Sequence, residues 1–259
     1  MLSLANLYQA GAHRGNSKSK INPKLKSNIH NSAGNICTID LVTTINSVNN
    51  AKELFFRIGA KKRQIIIIGT SNHIASKTVE YSKKFNGGDQ PYVDVRWLGG
   101  TLTNWFTIKK NLRILEKFES IISDAKFFAT LARNEQLSTN RKVDKMKRVL
   151  SGLTLLKTNR PGAILILDGA QNSIALKEAE LVGCPIVILT NTFIKTLPKN
   201  LSTTIVCNNN SLNAVDMIME ELITAFNEGY ASGNKPKEDD KVDSKNTSSE
   251  KTMETQQIN

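Results

Sequence analysis

Short continuous runs of apolar residues alternate along the chain with stretches in which apolar residues recur at helical spacing. The clearest run is at residues 64–69, where four consecutive isoleucines precede a glycine. A β-branched run without polar positions indicates a strand that is buried on both faces, as in a parallel sheet. Similar runs predict four further strands, at residues 92–95, 163–167, 185–189 and 203–207.

Helical periodicity fills most of the intervals around these strands. It predicts helices over residues 42–58, from the cap residues 70–72 to about 85, over 174–182, and over 212–226. Strands that alternate with helices imply βαβ units with right-handed crossovers. The predicted fold class is therefore α/β, with a doubly wound, mostly parallel sheet.

Residues 103–150 interrupt this alternation, because nothing in them is typical of a strand. Two long helical patterns follow one another, at about residues 103–123 and 130–150. Residues 105–150 contain eleven basic residues and five acidic ones. Two adjacent helices without a strand between them fit a coiled-coil-like, two-helix hairpin, and we expect it to protrude from the α/β body.

Both ends of the chain differ in composition from its middle. Residues 231–259 are almost devoid of apolar side chains, so burial cannot offset their ordering entropy, and we predict a disordered polar tail. Residues 1–34 contain basic residues but no acidic one. Their Gly, Pro, Asn and Ser content predicts an irregular basic arm that is mobile until it binds. The α/β domain would then occupy residues 35–230.

The net charge narrows the choice of partners. The chain carries 35 basic and 23 acidic residues, a formal charge of +12. From residue 235 onward there are five Lys and six acidic residues, so the remainder carries +13. A basic body implies a polyanionic partner, although a membrane surface or an acidic protein would also attract it. No apolar run is long enough to cross a bilayer, and we expect no membrane partner.

An enzyme on the same sheet is the main alternative. Residues 69–72 (GTSN) follow a strand and open a helix, so their amides could hold a phosphate. They match neither dinucleotide-binding nor phosphate-loop patterns, and a structural turn is the favoured interpretation. Asp168 precedes a glycine at a strand end and is interpreted as a turn residue. A nucleotide- or sugar-phosphate-binding enzyme stays the alternative to a binding protein.

No group of residues has the spacing of a metal or catalytic site. The three histidines are isolated, and we expect each to be solvated or hydrogen-bonded: His13, His30 and His73. The three cysteines are far apart and are interpreted as small buried hydrophobic residues: Cys37, Cys184 and Cys207. We therefore predict no enzymatic activity, no cofactor and no metal.

Two segments are candidates for RNA binding. The arm contributes Arg14, Lys18, Lys20, Lys24 and Lys26. The second segment, residues 96–105 (RWLGGTLTNW), places two Trp around a Gly-Gly turn at the start of the basic hairpin. Stacking of Trp97 and Trp105 on bases is possible in principle, but packing in the core is favoured. The polar groups left for RNA are Arg96 and Asn104, followed along the helix by Lys109, Lys110 and Arg113.

Several of these motifs resemble one family. The most specific stretch is residues 92–105 (YVDVRWLGGTLTNW). The other matching segments are 7–13 (LYQAGAH), 22–26 (NPKLK), 39–41 (IDL), 174–179 (IALKEA) and 183–186 (GCPI). Through these segments the chain resembles the bacterial-type small-subunit ribosomal protein two family over about residues 2–230.

The resemblance implies a parallel α/β sheet with a protruding helical hairpin and a place between the head and body of the small subunit. It implies contacts with small-subunit ribosomal RNA and neighbouring ribosomal proteins, and help in docking the large mRNA-delivering ribosomal protein one. The expected location is the bacterial cytoplasm, on the ribosome. The organellar matrix is the alternative, since an early basic segment also suits a transit peptide. The family motif begins at Leu7, however, which leaves little room for one.

The chain also departs from the family pattern. Arg14 and Asn16 stand where the family usually has Phe and His. Asn191 stands for a usual Asp, and residues 207–210 (CNNN) stand for a Gly-Asn-Asp-Asp-like turn. These changes make the surface more basic. They also permit a free RNA-binding regulator descended from the family, which would be found mainly off the ribosome.

Overall fold

Strands and helices follow one another largely in the alternating order that the periodicity predicts. The computed structural model describes residues 2–233, except residues 125–127, 129, 131, 196, 199 and 200. The strands are β1 (Arg14–Ser17), β2 (Ile29–Ala33), β3 (Ile36–Ile39), β4 (Ile65–Ile68), β5 (Tyr92–Val93), β6 (Ala163–Ile166), β7 (Ile186–Thr190) and β8 (Leu201–Val206). The helices are α1 (Leu4–Gln9), α2 (Leu41–Ala60), α3 (Asn72–Lys83), α4 (Trp105–Ser123), α5 (Arg133–Leu150), α6 (Ser173–Val182) and α7 (Leu212–Ser232).

Strands β4 to β8 form a five-stranded sheet in which every pairing is parallel. The strand order is β5-β4-β6-β7-β8, so the chain leaves β4 first toward one side and later returns on the other. The predicted doubly wound α/β fold is confirmed. Every residue of β4, β6 and β7 is buried, which confirms the expectation of burial on both faces.

Alternating side chains of the strands divide the core into two apolar clusters. Ile65 and Ile67 pack in one cluster with α2, α3 and α7. Ile66 and Ile68 pack in the other with α4, α5 and α6. This separation follows from the two-residue period of a strand, and it explains why the isoleucine run needs no polar position.

Helices α2 and α7 approach each other closely through glycines. A Cβ atom added to Gly229 would lie 2.1 Å from the carbonyl oxygen of Phe56, and one added to Gly59 would lie 2.3 Å from that of Phe226. The sequence predicted that the last helix ends near residue 226, but α7 continues to Ser232. The helix continues because this close packing against α2 offsets the poor helical propensity of glycine.

The expectation that residues 1–34 are irregular is wrong, whereas their mobility before binding stays a prediction. Residues 1–34 contribute α1, β1 and β2, and both strands pair antiparallel with β3 in a three-stranded sheet. The apolar residues of this segment tie it to the body, since Leu7, Ala12 and Leu25 are at most 3% exposed. Leu7 joins the α2–α7 cluster and Leu25 the opposite one, so the segment bridges both faces of the sheet.

The two helices predicted for residues 103–150 are α4 and α5, and they lie against each other. Glu119 of α4 and Lys147 of α5 form an ion pair of 3.0 Å. Ile108, Leu112 and Leu115 of α4 follow helical spacing and are buried in the same cluster as the β4 isoleucines. That the pair protrudes as a hairpin stays a prediction.

The predicted disordered tail falls almost wholly on residues 234–259, which lie outside the described residues. Its first two residues, 231 and 232, belong to α7 instead. In the part of the chain that is described, no helix is long and apolar enough to cross a membrane.

Candidate nucleic-acid interface

The carboxyl ends of the five parallel strands meet at one edge of the sheet. In the order of the strands, Arg96 follows β5, Thr70 follows β4, Asp168 follows β6, Asn191 follows β7 and Asn209 follows β8. We call this row of loops the carboxyl edge. Between the last four of these residues lies a polar cleft of about 530 Å³.

The arm is fastened along the β7–β8 end of the carboxyl edge by hydrogen bonds from its backbone amides and from the side chain of Asn22. The amide of Asn16 donates to Oγ1 of Thr192 at 3.0 Å, and the amide of Asn22 donates to the carbonyl oxygen of Thr192, also at 3.0 Å. The side chain of Asn22 donates to the carbonyl oxygen of Ile194 at 2.7 Å. The predicted cations of the arm are all exposed: Arg14, Lys18, Lys20, Lys24 and Lys26.

A buried carboxylate holds the segment 96–105 in place. Glu178 of α6 is 6% exposed and accepts hydrogen bonds from the indole nitrogen of Trp97 at 3.1 Å and from the amides of Gly100 at 2.7 Å and Leu102 at 3.1 Å. Trp97 therefore packs in the core, as favoured from the sequence. Trp105 is half-buried against the same apolar cluster.

The two polar residues of this segment predicted to bind RNA, Arg96 and Asn104, differ in the hydrogen bonds that they make within the protein. Arg96 is exposed, and its guanidinium makes no hydrogen bond or ion pair with any described residue. It lines a second, smaller cleft of about 270 Å³ that shares Thr70 and Gln171 with the larger one. Asn104 is exposed but accepts a hydrogen bond from Oγ1 of Thr107 at 2.9 Å. Part of its hydrogen-bonding capacity is thus used at the start of α4.

The remaining predicted cations lie on α4, which covers one face of the sheet. They are exposed residues on the side away from the buried stripe of that helix: Lys109, Lys110 and Arg113. The structure thus brings Arg96 and the arm to the same edge of the sheet. The α4 cations form a separate patch, and none of the ten residues predicted to bind RNA is buried.

Two expectations about turns are met at the carboxyl edge. Asp168 is 4% exposed and accepts a hydrogen bond from the hydroxyl of Ser71, which ties the end of β6 to the start of α3. Residues 69–72 form the connection between β4 and α3. Ser71 is the N-cap of α3, but its side chain makes no capping bond because it is turned toward Asp168.

The histidines and cysteines lie in structural environments, with one exception to the expected hydrogen bonding: Nδ1 of His13 is buried and has no hydrogen-bond partner among the described residues. His73 Nε2 lies 3.2 Å from the carbonyl oxygen of Asn209, and the ring of His13 stacks on that of Tyr8 with a centroid distance of 4.3 Å. All three cysteines are buried, as expected. Complete burial raises the pKa of the Cys207 thiol to about 12. Among the described residues, no group of three His, Cys, Asp or Glu could hold a metal ion.

Sequence reasoning missed two parts of this interface. It did not single out Glu178, although an acidic residue among the apolar positions of α6 was a signal for a buried anchor. It also treated Asn16, Asn191 and residues 207–210 as separate departures from a family pattern. The structure places Asn16, Asn191, Asn209 and Asn210 around one cleft.

Together these features define a doubly wound α/β protein that presents unpaired cations and a polar cleft along one edge of its sheet. The chain belongs to the ribosomal protein S2 family, whose model matches residues 7–229. It is therefore a ribosomal protein with a structural role rather than an enzyme, as predicted.

Curated relatives agree with this assignment. The chain is similar to the small ribosomal subunit protein uS2 of Amoebophilus asiaticus, with 32% identity over 89% of this chain and 71% of the relative. It is 31% identical to the protein of the same name from Chloroflexus aggregans, over 88% of this chain and 93% of the relative. The corresponding Acinetobacter baylyi protein is 30% identical over 87% of this chain and 88% of the relative.

Proposed function

We propose that the chain is a structural constituent of the small ribosomal subunit and binds its ribosomal RNA through the carboxyl edge, the arm and α4. The observation that carries this proposal is the state of the nine predicted cations. All are exposed, and none forms an ion pair with a described acidic residue. Cations without a protein partner are available to phosphates.

The names of the relatives support assembly into the small subunit, and all of those reported above come from bacteria. We accordingly propose a bacterial cytoplasmic location on the ribosome, with the organellar matrix as the alternative. Co-sedimentation of the chain with small subunits at physiological salt tests this assembly. Recovery mainly in the free fraction would favour an off-ribosome regulator instead.

The salt dependence of binding to a small-subunit RNA fragment tests the electrostatic part. The logarithm of the affinity should fall linearly with the logarithm of salt concentration, by roughly 0.7 to 0.9 for each phosphate contacted. Lys18→Gln with Lys20→Gln should reduce that slope by about two such contacts. The matched control is Lys61→Gln with Lys83→Gln, because these exposed lysines lie at the opposite edge of the sheet. A flat salt response would contradict the proposal.

We further propose that the chain helps dock the large mRNA-delivering ribosomal protein one. The support is the resemblance of residues 92–105, which the Glu178 anchor holds in one conformation. Small subunits reconstituted with and without the chain would be compared for bound protein one. Equal occupancy in both preparations would contradict this part and leave RNA binding unaffected.

A further inference from the structure

Non-specific electrostatic binding of RNA needs only exposed cations. The carboxyl edge also contains a cleft, and its position and size are those of a binding site. It extends from the point where the order of the strands reverses, between the chain that follows β4 and the chain that follows β6, to the loops after β7 and β8. Doubly wound sheets bind ligands at this place. A volume of about 530 Å³ falls in the range of sites for small organic groups.

Helix starts beside the cleft have free amide groups. Ser71, the N-cap of α3, bonds to Asp168 instead of capping the helix, and Asn172, the N-cap of α6, makes no capping bond either. The first amides of a helix lack partners within the helix and carry a partial positive charge. Both helix starts therefore suit a phosphate, but they do not by themselves define a site.

Two buried amides point independently to a ligand. Asn209 lines the cleft and is only 8% exposed, yet its side chain has no hydrogen-bond partner among the described residues. Asn191 is 5% exposed; its oxygen accepts from the amide of Thr192 at 2.7 Å, while its amino group bonds to no described residue. Both side chains line the cleft, so their free donors and acceptors are available to a group that enters it.

Several residues at which the chain departs from the family pattern line this same cleft. Asn16, Asn191 and Asn209 line it, where the resemblance leads one to expect His and Asp. An amide carries no charge and offers both a donor and an acceptor, which is the combination that reads the edge of a base. Phe193 lines the cleft and is half-buried, so its ring is available for stacking.

The charged residues on both sides of the cleft favour an RNA strand over a free small molecule as its ligand. Arg96 lines the adjoining cleft on the β5 side, and Lys18 and Lys20 follow Asn16 on the arm side. A nucleotide in the cleft would thus have cations near the phosphates on both sides. Asp168 would repel a phosphate placed next to it, but a carboxylate readily accepts a hydrogen bond from a ribose hydroxyl.

We propose that this cleft binds one unpaired ribonucleotide of an RNA strand. Asn191 and Asn209 contact the edge of the base, Phe193 stacks on it, and Arg96 and the arm hold the flanking phosphates. This inference rests on the proposed function and adds to it a specific site for a single nucleotide. Binding of RNA through the cations alone would need neither the cleft nor its amides.

Binding of short RNAs to the full-length protein tests the site. The probes are a fluorescent single-stranded RNA heptamer, the same heptamer annealed to its complement, and AMP. We expect the single strand to bind at least about tenfold more tightly than the duplex or AMP. Asn209→Ala should weaken the single strand about tenfold, the effect of losing one base contact. Asn50→Ala on the exposed surface of α2 is the matched control and should change nothing.

Side-chain amide resonances of the unmodified protein provide a second measurement that does not depend on the folding of a variant. Addition of the heptamer should shift the Asn191 and Asn209 amides and leave that of Asn50 in place. Unchanged affinity of Asn209→Ala together with unshifted amides, while binding stays salt-dependent, would overturn the site and leave RNA binding standing. Failure of every RNA to bind would overturn both. AMP that binds as tightly as the heptamer would overturn the assignment to a strand.

Discussion

The α2–α7 face and the carboxyl edge belong to the same sheet but are stabilised in different ways. On the α2–α7 face, apolar side chains fill the space and glycines let two helix backbones come together. At the carboxyl edge, buried polar residues such as Asp168, Asn191 and Glu178 replace apolar packing. Packing fixes the first region, whereas hydrogen bonds fix the second. The second region therefore keeps the polar groups that can meet RNA.

The largest effect is expected at Glu178, where a single side chain organises the segment 96–105. Glu178→Ala would leave the buried donors of Trp97 and Leu102 without acceptors. At about 1–3 kcal/mol for each, the free energy of unfolding should fall by about 4 kcal/mol. Glu178→Gln retains one acceptor oxygen and should lose less. Denaturant unfolding of both variants measures this, and equal, small losses would mean that packing alone holds the segment.

A smaller loss is expected on the α2–α7 face from Gly229→Ala. Alanine would improve helical propensity by up to about 1 kcal/mol, but its Cβ would lie 2.1 Å from a backbone oxygen. Only separation of the helices relieves that contact, so we expect a net loss of about 2 kcal/mol.

Gly99→Ala is the matched control for that substitution. The nearest atom to a Cβ at Gly99 is 4.0 Å away, and the residue does not have a positive φ. Thermal unfolding should therefore show almost no change in its melting temperature. A Gly229→Ala protein that melts like this control would disprove the importance of the close helix contact.

The sequence predicted the body better than the edge for a physical reason. Continuous apolar runs and helical spacing are local signals, and they located β4 to β8, α2, α3, α6 and the start of α7 to within a few residues. The arm depends on contacts with residues more than 150 positions away, such as that of Asn16 with Thr192, which no local pattern reports. One local signal was available: Gly34 and Asn35 separate β2 from β3, and Gly34 has a φ of 60° as a tight hairpin turn requires.

Most of the residues predicted to bind RNA could be found from charge alone, because an exposed cation needs no tertiary contact. The cleft could not, since its asparagines come from the arm, from the start of α3 and from loops after β7 and β8. Glu178 was equally hidden, because its partners lie 76 to 81 residues earlier in the chain.

Arg96→Ala at the carboxyl edge should affect RNA binding without affecting stability. The guanidinium has no partner in the described part of the chain, so its loss should leave the melting temperature unchanged. The affinity for a small-subunit RNA fragment should fall by about 1–3 kcal/mol, as for a hydrogen bond to a charged group. Lys24→Ala on the arm should cost less and mainly lower the salt slope. A lower melting temperature with unchanged affinity would make Arg96 a structural residue.

The smallest effect is expected where the two regions join, at Asp40 between β3 and α2. Its carboxylate is the N-cap of α2 and accepts a hydrogen bond from the amide of Val42 at 3.0 Å. The hydroxyl of Thr43 also donates to it, and this bond is the main reason that the pKa of Asp40 lies below its ordinary value of 3.8. Loss of a cap typically costs about 1 kcal/mol, so Asp40→Ala should be that much less stable at neutral pH.

The pH dependence distinguishes the charge of Asp40 from its capping geometry. A carboxylate with a lowered pKa in the folded state contributes stability that is fully present above 3.8, and this stability is lost as the pH falls through the folded pKa. Asp40→Asn keeps a good cap but cannot titrate. We expect it to be nearly as stable as the unmodified chain at pH 7 and to lose less stability between about pH 5 and pH 2. Melting curves over that range measure the difference. Parallel acid profiles for the two proteins would mean that the Thr43 bond forms equally with the protonated carboxyl group, and that other acidic residues govern unfolding in acid.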